Sequence, residues 1–187
     1  MIAIGIDPSL TRTGLALYSG AWQETACFTS SHIAGLRNRV ERMRVLVGEI
    51  ASQIINWIEP TSGVKVCVFV EGYSFGSKGR AIYQLGEFGG VLRWVLSGPR
   101  TEIFEVPPST MKKYATGKGN ANKAAVFDAA QVCANVPIAN SDEADAWWLA
   151  RLGYEAMGGP EGDSSSDNTE SVATLQRLMK EERATWS

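Results

Sequence analysis

The order of strand-like and helix-like segments is the feature that most constrains how this chain can fold. Residues 2–6 form an apolar run typical of a buried strand, and the turn-forming residues 7–14 lead into a second strand-like segment. The predicted strands cover residues 2–6, 15–18, 24–29, 64–70 and 101–106. Three strands followed by alternating helices and strands predict an α/β domain with a mixed five-stranded sheet flanked by helices.

Apolar residues at helical spacing predict the helices, of which the longest has a basic outer face. In residues 34–58 the apolar positions recur every three or four residues, with arginines between them. Further helices are predicted at residues 80–96, 108–114, 122–133 and 141–156. Residues 1–157 are therefore expected to form the main domain.

The C-terminal part of the chain differs in composition from the rest. Residues 158–171 are rich in Gly, Ser, Asp and Glu, which predicts a flexible linker. Residues 172–187 are predicted to contain a short amphipathic helix that could dock on the main domain or on a partner. Its apolar positions are Val172, Leu175, Leu178 and Met179.

Composition argues against several classes of protein. No run of about 18 apolar residues is present, and the chain opens with a strand rather than a leader, so no membrane span and a cytoplasmic location are expected. The three cysteines are widely separated, which predicts buried free thiols rather than a zinc site or a disulfide framework. Because His32 is the only histidine, catalysis is expected from carboxylates, without an organic cofactor.

Four acidic residues are placed where they could bind two divalent cations. Asp7 and Glu71 each follow an apolar strand-like run, and Asp142 and Asp145 are three apart at a predicted helix start. Singly, each has an ordinary alternative as a turn residue, a strand-end acid or a first-turn charge that complements the helix dipole. Together they predict a site for Mg²⁺ or Mn²⁺ that could hydrolyse a phosphodiester. Glu143 is expected to point away, at the surface.

Basic and aromatic residues predict a nucleic-acid-binding surface near these acids. Residues 109–123 contain lysines and glycines and no acid, which suits phosphate contacts, although a solvated basic loop is the alternative. The loop after Glu71 carries aromatic rings that could stack on bases, although ordinary packing is the alternative. The candidate DNA-binding residues are Lys112, Lys113, Lys118, Tyr73, Phe75, Lys78 and Arg80.

Several motifs together resemble the RuvC family of Holliday-junction resolvases. They are residues 5–14 around Asp7, Val70-Glu71, residues 84–90, residues 108–123 and residues 142–146. The resemblance implies a ribonuclease H-like fold and a metal-dependent endonuclease that binds four-way DNA junctions as a homodimer and nicks two opposing strands symmetrically. The loop after Glu71 and the acidic tail depart from the common bacterial pattern, which makes a bacteriophage member a further expectation.

The resemblance also implies roles for individual residues. The four acids would ligate two Mg²⁺ ions, for which Mn²⁺ would substitute, with Asp7 bridging both ions. Lys123 would lie near the scissile phosphate and stabilise charge as the phosphorane forms. Lys112 would contact the DNA backbone.

Three other functions are compatible with parts of the pattern. A ribonuclease H-like enzyme could act on other branched DNA, on RNA or on RNA–DNA hybrids. An actin-like or sugar-kinase-like ATP-binding protein also begins with a strand, an Asp and a Gly-rich turn, but that fold needs two such domains and 187 residues are too few. A binding module without catalytic activity would not need all four acids.

Overall fold

The computed structural model describes residues 1–30, 36–61, 63–73, 80–159 and 166–185. Its strands are β1 (Ile2–Asp7), β2 (Arg12–Tyr18), β3 (Gln23–Thr29), β4 (Val66–Glu71) and β5 (Thr101–Val106). They form one sheet in the order β3-β2-β1-β4-β5. β2 is antiparallel to β1 and β3, whereas β4 is parallel to β1 and β5. The predicted mixed five-stranded sheet is confirmed.

Helices cover both faces of this sheet. They are α1 (Leu36–Ile58), α2 (Arg80–Leu96), α3 (Pro108–Thr116), α4 (Lys123–Cys133), α5 (Ser141–Ala156) and α6 (Ser166–Thr185). α1 and α2 pack on one face, and α3 to α6 form the core on the other face. Among the described residues, no helix has the length and apolar character needed to cross a membrane.

Alternate residues of the central strands supply the two halves of the core. In β1, Ile4 and Ile6 belong to the cluster formed with α1 and α2, whereas Ala3 belongs to the cluster that contains α5. This alternation is the two-residue period of a strand. Because both faces of the sheet are covered, β1 and β4 consist of nearly continuous apolar runs.

Two glycines let α5 lie directly on β1 and β2. A side chain at Gly5 would collide with the backbone of Ala146, and one at Gly14 would collide with the backbone carbonyl of Asp142. Gly14 is also the residue paired with Asp7 across the β1–β2 ladder. The absence of a Cβ at Gly14 therefore brings the first turn of α5 beside the end of β1.

The predicted element order is observed, but some bounds differ. β2 begins at Arg12 rather than at residue 15, because Arg12, Thr13 and Gly14 already pair with β3. β4 begins at Val66 rather than at residue 64. The turn-forming residues 7–14 predict a longer connection between β1 and β2 than the observed strand pairing leaves.

The C-terminal helix is longer than predicted. Residues 158–171 are expected to be a linker, yet α6 begins at Ser166, so that residues 166–171 are helical. Leu175 and Met179 are 0% and 3% exposed and belong to the core of the main domain, which decides between the two docking alternatives. This packing stabilises the helix and extends it into a segment whose polar composition favours a loop.

The prediction of three buried thiols is wrong for two of the cysteines. Cys67 on β4 is buried, Cys27 on the edge strand β3 is half-buried, and Cys133 at the end of α4 is exposed. Residues on an edge strand or at a helix end can face solvent. The apolar character of cysteine, from which burial is predicted, does not indicate such a position. All three thiols are free.

Candidate active site

Asp7 and Glu71 lie side by side at one edge of the sheet. β1 and β4 are parallel neighbours, with Ile6 opposite Val70, so their carboxyl ends meet at the same edge. Asp7 is 8% exposed, and its carboxyl group shares a hydrogen bond with that of Glu71. A hydrogen bond between two carboxyl groups requires a proton on one of them. The structure thus brings the two strand-end acids together.

Asp142 and Asp145 join this pair from the first turn of α5. The side-chain oxygen of Asn140 accepts hydrogen bonds from the backbone N–H groups of Asp142 and Glu143, both at 3.1 Å, and so caps the helix. Asp142 and Asp145 are buried, at 7% and 4% exposure, and their carboxylates interact electrostatically with that of Asp7. The four predicted acids therefore form one carboxylate cluster.

Burial and the charges of neighbouring carboxylates raise the pKa values of Asp7, Glu71 and Asp145. Burial raises the pKa of Asp145 to about 7, and the charge of Asp7 adds to this effect. The pKa of Asp7 is raised well above its usual value by burial and by the charge of Glu71. Burial also raises the pKa of Glu71, partly offset by its hydrogen bond with Asp7. Carboxylates in this situation bind either protons or metal cations.

Lys123 is the predicted basic residue that reaches the carboxylate cluster. It is the first residue of α4, after the capping residue Asn122. Its Nζ lies 3.4 Å from Asp142 and 3.7 Å from Asp145. Burial alone would lower the pKa of Lys123, but the nearby carboxylates, that of Asp7 first, raise it instead. The side chain is 63% exposed, so its ammonium group also faces the open cleft.

Arg12 is a residue of the site that the sequence reasoning missed. It is the first residue of β2, and its Nε donates a hydrogen bond to a carboxylate oxygen of Asp142. The sequence does contain a basic residue in the motif around Asp7, which could have indicated this role. From the sequence alone, we interpret the segment as a turn and assign Arg12 no function. Arg12 and Asp142 line a cleft of about 600 Å³, which also reaches Asp7 and Lys123.

Glu143 points away from the carboxylate cluster, but the prediction that it lies at the surface is wrong. It is 7% exposed and accepts hydrogen bonds from Thr25 at 3.2 Å, from the backbone of Ala139 at 3.0 Å and from Asn140 at 2.9 Å. These bonds join β3 to the segment before α5. Glu143 is buried because strand β3 covers this side of the helix start, which the local sequence does not show.

The predicted lysines on α3 and beyond differ in their surroundings. The charge of Lys112 lowers the pKa values of Glu71 and Asp145, so its ammonium group lies near the carboxylate cluster. Lys113 forms an ion pair of 2.6 Å with Glu170 of α6. Lys118 is exposed after the C-cap of α3. Lys112 is therefore near the carboxylate cluster and Lys118 is open to solvent, whereas Lys113 is engaged with the C-terminal helix.

The loop after Glu71 is described only at its start. The hydroxyl of Tyr73 donates to the backbone carbonyl of Leu85 at 3.3 Å and accepts from Arg93 at 3.2 Å. The guanidinium of Arg93 also lies 5.7 Å from the centre of this ring. Tyr73 thus packs on α2, which favours the packing alternative for this ring. The other candidate residues of the loop, Phe75, Lys78 and the side chain of Arg80, lie outside the described residues.

The donor atoms of the carboxylate cluster suit a hard divalent cation. Carboxylate oxygens are the ligands that Mg²⁺ and Mn²⁺ prefer. Burial and neighbouring carboxylates raise the pKa values of Asp7 and Asp145 although the charge of Lys123 lowers them. As the side chains stand, no group of three or more His, Cys, Asp or Glu in the described ranges is arranged to hold an ion. Asp142 is turned toward Arg12 and Lys123, so ion binding requires these contacts to loosen.

Comparison with known proteins identifies relatives over most of the chain. Residues 3–150 match the family described as crossover junction endodeoxyribonuclease RuvC. A relative of that name from Brachyspira hyodysenteriae is 26% identical over 151 residues, which cover 80% of this chain and 91% of the relative. One from Anaeromyxobacter sp. is 29% identical over 152 residues, covering 80% and 71%. One from Neorickettsia sennetsu is 30% identical over 131 residues, covering 67% and 74%.

Two solved structures have a similar fold. Thermus thermophilus RuvC has a TM-score of 0.61 and 22% identity, covering 84% of this chain and 97% of that structure. T. thermophilus RuvC in complex with a Holliday junction substrate has a TM-score of 0.59 and 19% identity, covering 84% and 96%. These likenesses show the fold, which is ribonuclease H-like as predicted. Since the family match spans residues 3–150, this chain belongs to the RuvC family of crossover junction endodeoxyribonucleases.

Proposed function

We propose that this protein is a metal-dependent endonuclease that resolves four-way (Holliday) DNA junctions by paired phosphodiester hydrolysis. The observation that carries the proposal is the carboxylate cluster of Asp7, Glu71, Asp142 and Asp145, with the ammonium group of Lys123 beside it. Family membership supports it, since the relatives are named crossover junction endodeoxyribonucleases. A binding module without catalytic activity would gain nothing from burying several carboxylates together.

We assign the four carboxylates as ligands of two Mg²⁺ ions, for which Mn²⁺ can substitute. Asp7 would hold metal together with each of the other acids, because it interacts with all three of them. Two such ions supply an activated water and stabilise the leaving 3′ oxygen of the cleaved strand. Asn140 contributes by capping α5, which holds Asp142 and Asp145 in the first turn of the helix.

Lys123 is the residue assigned to the scissile phosphate. Its Nζ lies within 4 Å of two carboxylates of the cluster, and its side chain is 63% exposed to the cleft. A cation at this position stabilises the negative charge that develops on the phosphate as the phosphorane forms. The buried carboxylates raise the pKa of this amine and so favour its protonated form.

DNA is proposed to lie across the basic surface next to the cluster. Lys112 and Lys118 would contact backbone phosphates, and Lys113 would join them when its ion pair with Glu170 opens. The loop after Glu71 is proposed to contact bases at the junction centre. Its candidate residues are Phe75, Lys78 and Arg80, and Tyr73 would join them only when its contacts with α2 open. The solved complex of T. thermophilus RuvC with a Holliday junction supports this choice of substrate.

We also propose a homodimer formed through α2, because symmetric nicks in two strands require two carboxylate clusters. Tyr83 and Trp94 lie on one side of α2 and are 75% and 77% exposed, which is unusual for rings of this size. Between them, Gly86 and Gly90 leave open space around the helix backbone. A second copy packed on this side would cover the rings and approach α2 closely at the glycines.

Size measurement tests the dimer. Trp94→Ala and Tyr83→Ala together are expected to shift the wild-type dimer toward monomer in analytical ultracentrifugation, with the helical content unchanged. Val132→Ala, which truncates an apolar side chain that is 85% exposed on α4, serves as the control. A wild-type monomer, or a dimer that survives the double substitution, would contradict this interface.

We place the enzyme in the cytoplasm of a bacterial cell or of a phage-infected host, since DNA junctions arise there. The loop after Glu71 and the acidic tail, residues 158–187, are the basis for proposing a bacteriophage member of the family. Both segments lie outside the motifs that resemble the RuvC family.

Cleavage of a labelled, movable four-way DNA junction with Mg²⁺ tests the function. Paired nicks in the junction are expected, with linear duplex spared. Asp7→Asn is expected to bind the junction without cutting it, whereas Asp128→Asn, an exposed acid on α4, should cut like the wild type. Preferential cutting of an RNA–DNA hybrid or of another branched DNA would assign a different ribonuclease H-like activity. Failure to cut any nucleic acid would overturn the proposal.

A further inference from the structure

The cleft beside Asp142 contains polar groups that the proposed mechanism does not use. Its rim is formed by Ser9, Thr11, Arg12 and Thr29, and it opens toward Asp142. The hydroxyls of Ser9 and Thr11 are exposed and lie 3.0 Å apart. Proteins bind backbone phosphates where a guanidinium group and several hydroxyls line the same cleft, as they do here.

The backbone around Arg12 is held in place by a network of hydrogen bonds. The hydroxyl of Thr13 donates to the carbonyl of Ser9 at 2.6 Å and accepts from the N–H of Ser9 at 3.2 Å. The hydroxyl of Ser30 donates to the carbonyl of Leu10 at 2.5 Å. Arg12 itself pairs with Thr29 in the β2–β3 ladder. Arg12 is therefore presented from the first residue of a paired strand, which positions a charged group more accurately than a loop does.

The partner of Arg12 is a carboxylate that the mechanism assigns to a metal ion. Asp142 is 10% exposed in its side chain, whereas Arg12 is 49% exposed, so the guanidinium can leave while the carboxylate stays. Asp142 also accepts from Lys123 at 3.4 Å. A carboxylate with two protein cations against it binds a divalent ion less readily, because the cations repel the ion and occupy its oxygens.

We propose that this cleft is a phosphate subsite for the cleaved strand, next to the scissile position, and that Arg12 is its charged residue. In the metal-free protein Arg12 neutralises Asp142. When metal ions bind the carboxylate cluster, Arg12 is released and contacts a backbone phosphate, with Ser9, Thr11 and Thr29 as further donors. The subsite rests on the proposed function, since it requires a DNA strand at the carboxylate cluster.

Metal binding to the free protein tests the first half of this proposal. Arg12→Gln is expected to bind Mn²⁺ about two- to fivefold more tightly than the wild type in calorimetric titration, the range that corresponds to the coupling of a partly exposed ion pair. Arg177→Gln, with the same charge change at an exposed ion pair on α6, should bind Mn²⁺ like the wild type. Weaker Mn²⁺ binding by Arg12→Gln would overturn the proposal, because Arg12 would then serve to position Asp142 for the ion.

Binding of a labelled four-way junction in Ca²⁺, which does not require cleavage, tests the second half. Arg12→Gln is expected to reduce the slope of log affinity against log salt concentration by about 0.9, the change for one lost phosphate contact. Arg12→Lys should retain the slope, and Arg177→Gln should leave it unchanged. A wild-type slope for Arg12→Gln, with wild-type protein that still cuts junctions, would overturn the subsite alone. A wild-type protein that binds no DNA would overturn both the subsite and the proposed function.

Discussion

Each buried carboxylate of the active site is unfavourable for the stability of the fold, and only the group of carboxylates together can bind divalent cations. Asp7, Asp142 and Asp145 are each less than 10% exposed, and burial raises the pKa values of Asp7 and Asp145. Arg12 and Lys123 offset part of this penalty at Asp142. The site is therefore arranged to gain stability when divalent cations bind, and its protonation should depend on whether they are present.

The raised pKa of Asp145 predicts how stability depends on pH. An unfolded Asp titrates near pH 4, whereas Asp145 in the folded chain has a pKa of about 7. Between these values the folded state holds a proton that the unfolded state has lost, so the free energy of unfolding of the metal-free protein falls as pH rises through this range. Metal ions bind carboxylates in their ionised form, so the proposed site predicts a larger increase in Tm on adding Mg²⁺ at about pH 8 than at about pH 5.5.

Thermal denaturation with and without Mg²⁺ at the two pH values measures this effect. Asp145→Asn removes the titrating group and should make the metal-free protein less sensitive to pH between these values. Asp128→Asn is the matched control, since Asp128 is exposed on α4. An equal gain in Tm from Mg²⁺ at both pH values would contradict the assignment of the buried acids as metal ligands.

Lys123 should affect chemistry more than binding. Its ammonium group faces the cluster and the cleft at once, so Lys123→Ala removes the cation that we propose stabilises the developing charge on the phosphate. The single-turnover cleavage rate with saturating enzyme is expected to fall about a hundredfold, as when a donor to a developing oxyanion is removed. Lys180→Ala on α6 provides the control. An unchanged rate would remove Lys123 from the reaction.

Among the secondary structure elements, α5 contributes most to the site. It provides two of the four acids, and it lies on β1 and β2 at a distance that only glycine permits at Gly5 and Gly14. Its N-terminus is capped by Asn140, and the buried Glu143 ties the preceding segment to β3. The position of α5 on the sheet thus determines how closely Asp142 approaches Asp7.

A methyl group at Gly14 should displace α5 and impair cleavage. The new Cβ would collide with the backbone carbonyl of Asp142, which cannot rotate away as a side chain can. Gly14→Ala is expected to reduce the free energy of unfolding by about 1–3 kcal/mol, the usual effect of overpacking, and to lower the cleavage rate by moving Asp142.

Gly48→Ala is a matched control for this substitution. Gly48 lies within α1, and a methyl group added there would meet no atom of another element within 4 Å. Alanine should therefore stabilise the helix by about 0.5–1 kcal/mol and leave cleavage unchanged. Denaturant unfolding and junction cleavage measure both quantities. A Gly14→Ala protein as stable and active as the wild type would show that α5 can shift without consequence.

For the molecule as a whole, α6 belongs to the main domain. Its apolar side packs against α3 and α5 through Leu175 and Met179, and the ion pair between Glu170 and Lys113 joins it to the predicted DNA-binding surface. Arg183 adds an ion pair of 2.7 Å with Glu102 on β5. The acidic C-terminal segment therefore stabilises the core and at the same time neutralises one lysine of the basic surface.

Truncating the apolar side of α6 should destabilise the whole domain. Leu175 is fully buried, so Leu175→Ala is expected to lower the free energy of unfolding by about 2–5 kcal/mol. Val132→Ala removes an exposed apolar side chain and should change it by less than about 0.5 kcal/mol. Chemical denaturation followed by circular dichroism measures both. Equal stabilities of the two variants would mean that α6 is an appendage that contributes little to the core.

The sequence by itself determined the element order, the mixed sheet and the positions of the four acids relative to strand ends and a helix start. Apolar periodicity and the end of a parallel strand are local properties, so Asp7 and Glu71 can be paired without a structure. Only the tertiary structure decided that Arg12 pairs with Asp142, that Glu143 is buried beneath β3 and that α6 docks on the core. These contacts join residues far apart in the chain, and they depend on how closely α5 and α6 pack, which no local pattern encodes.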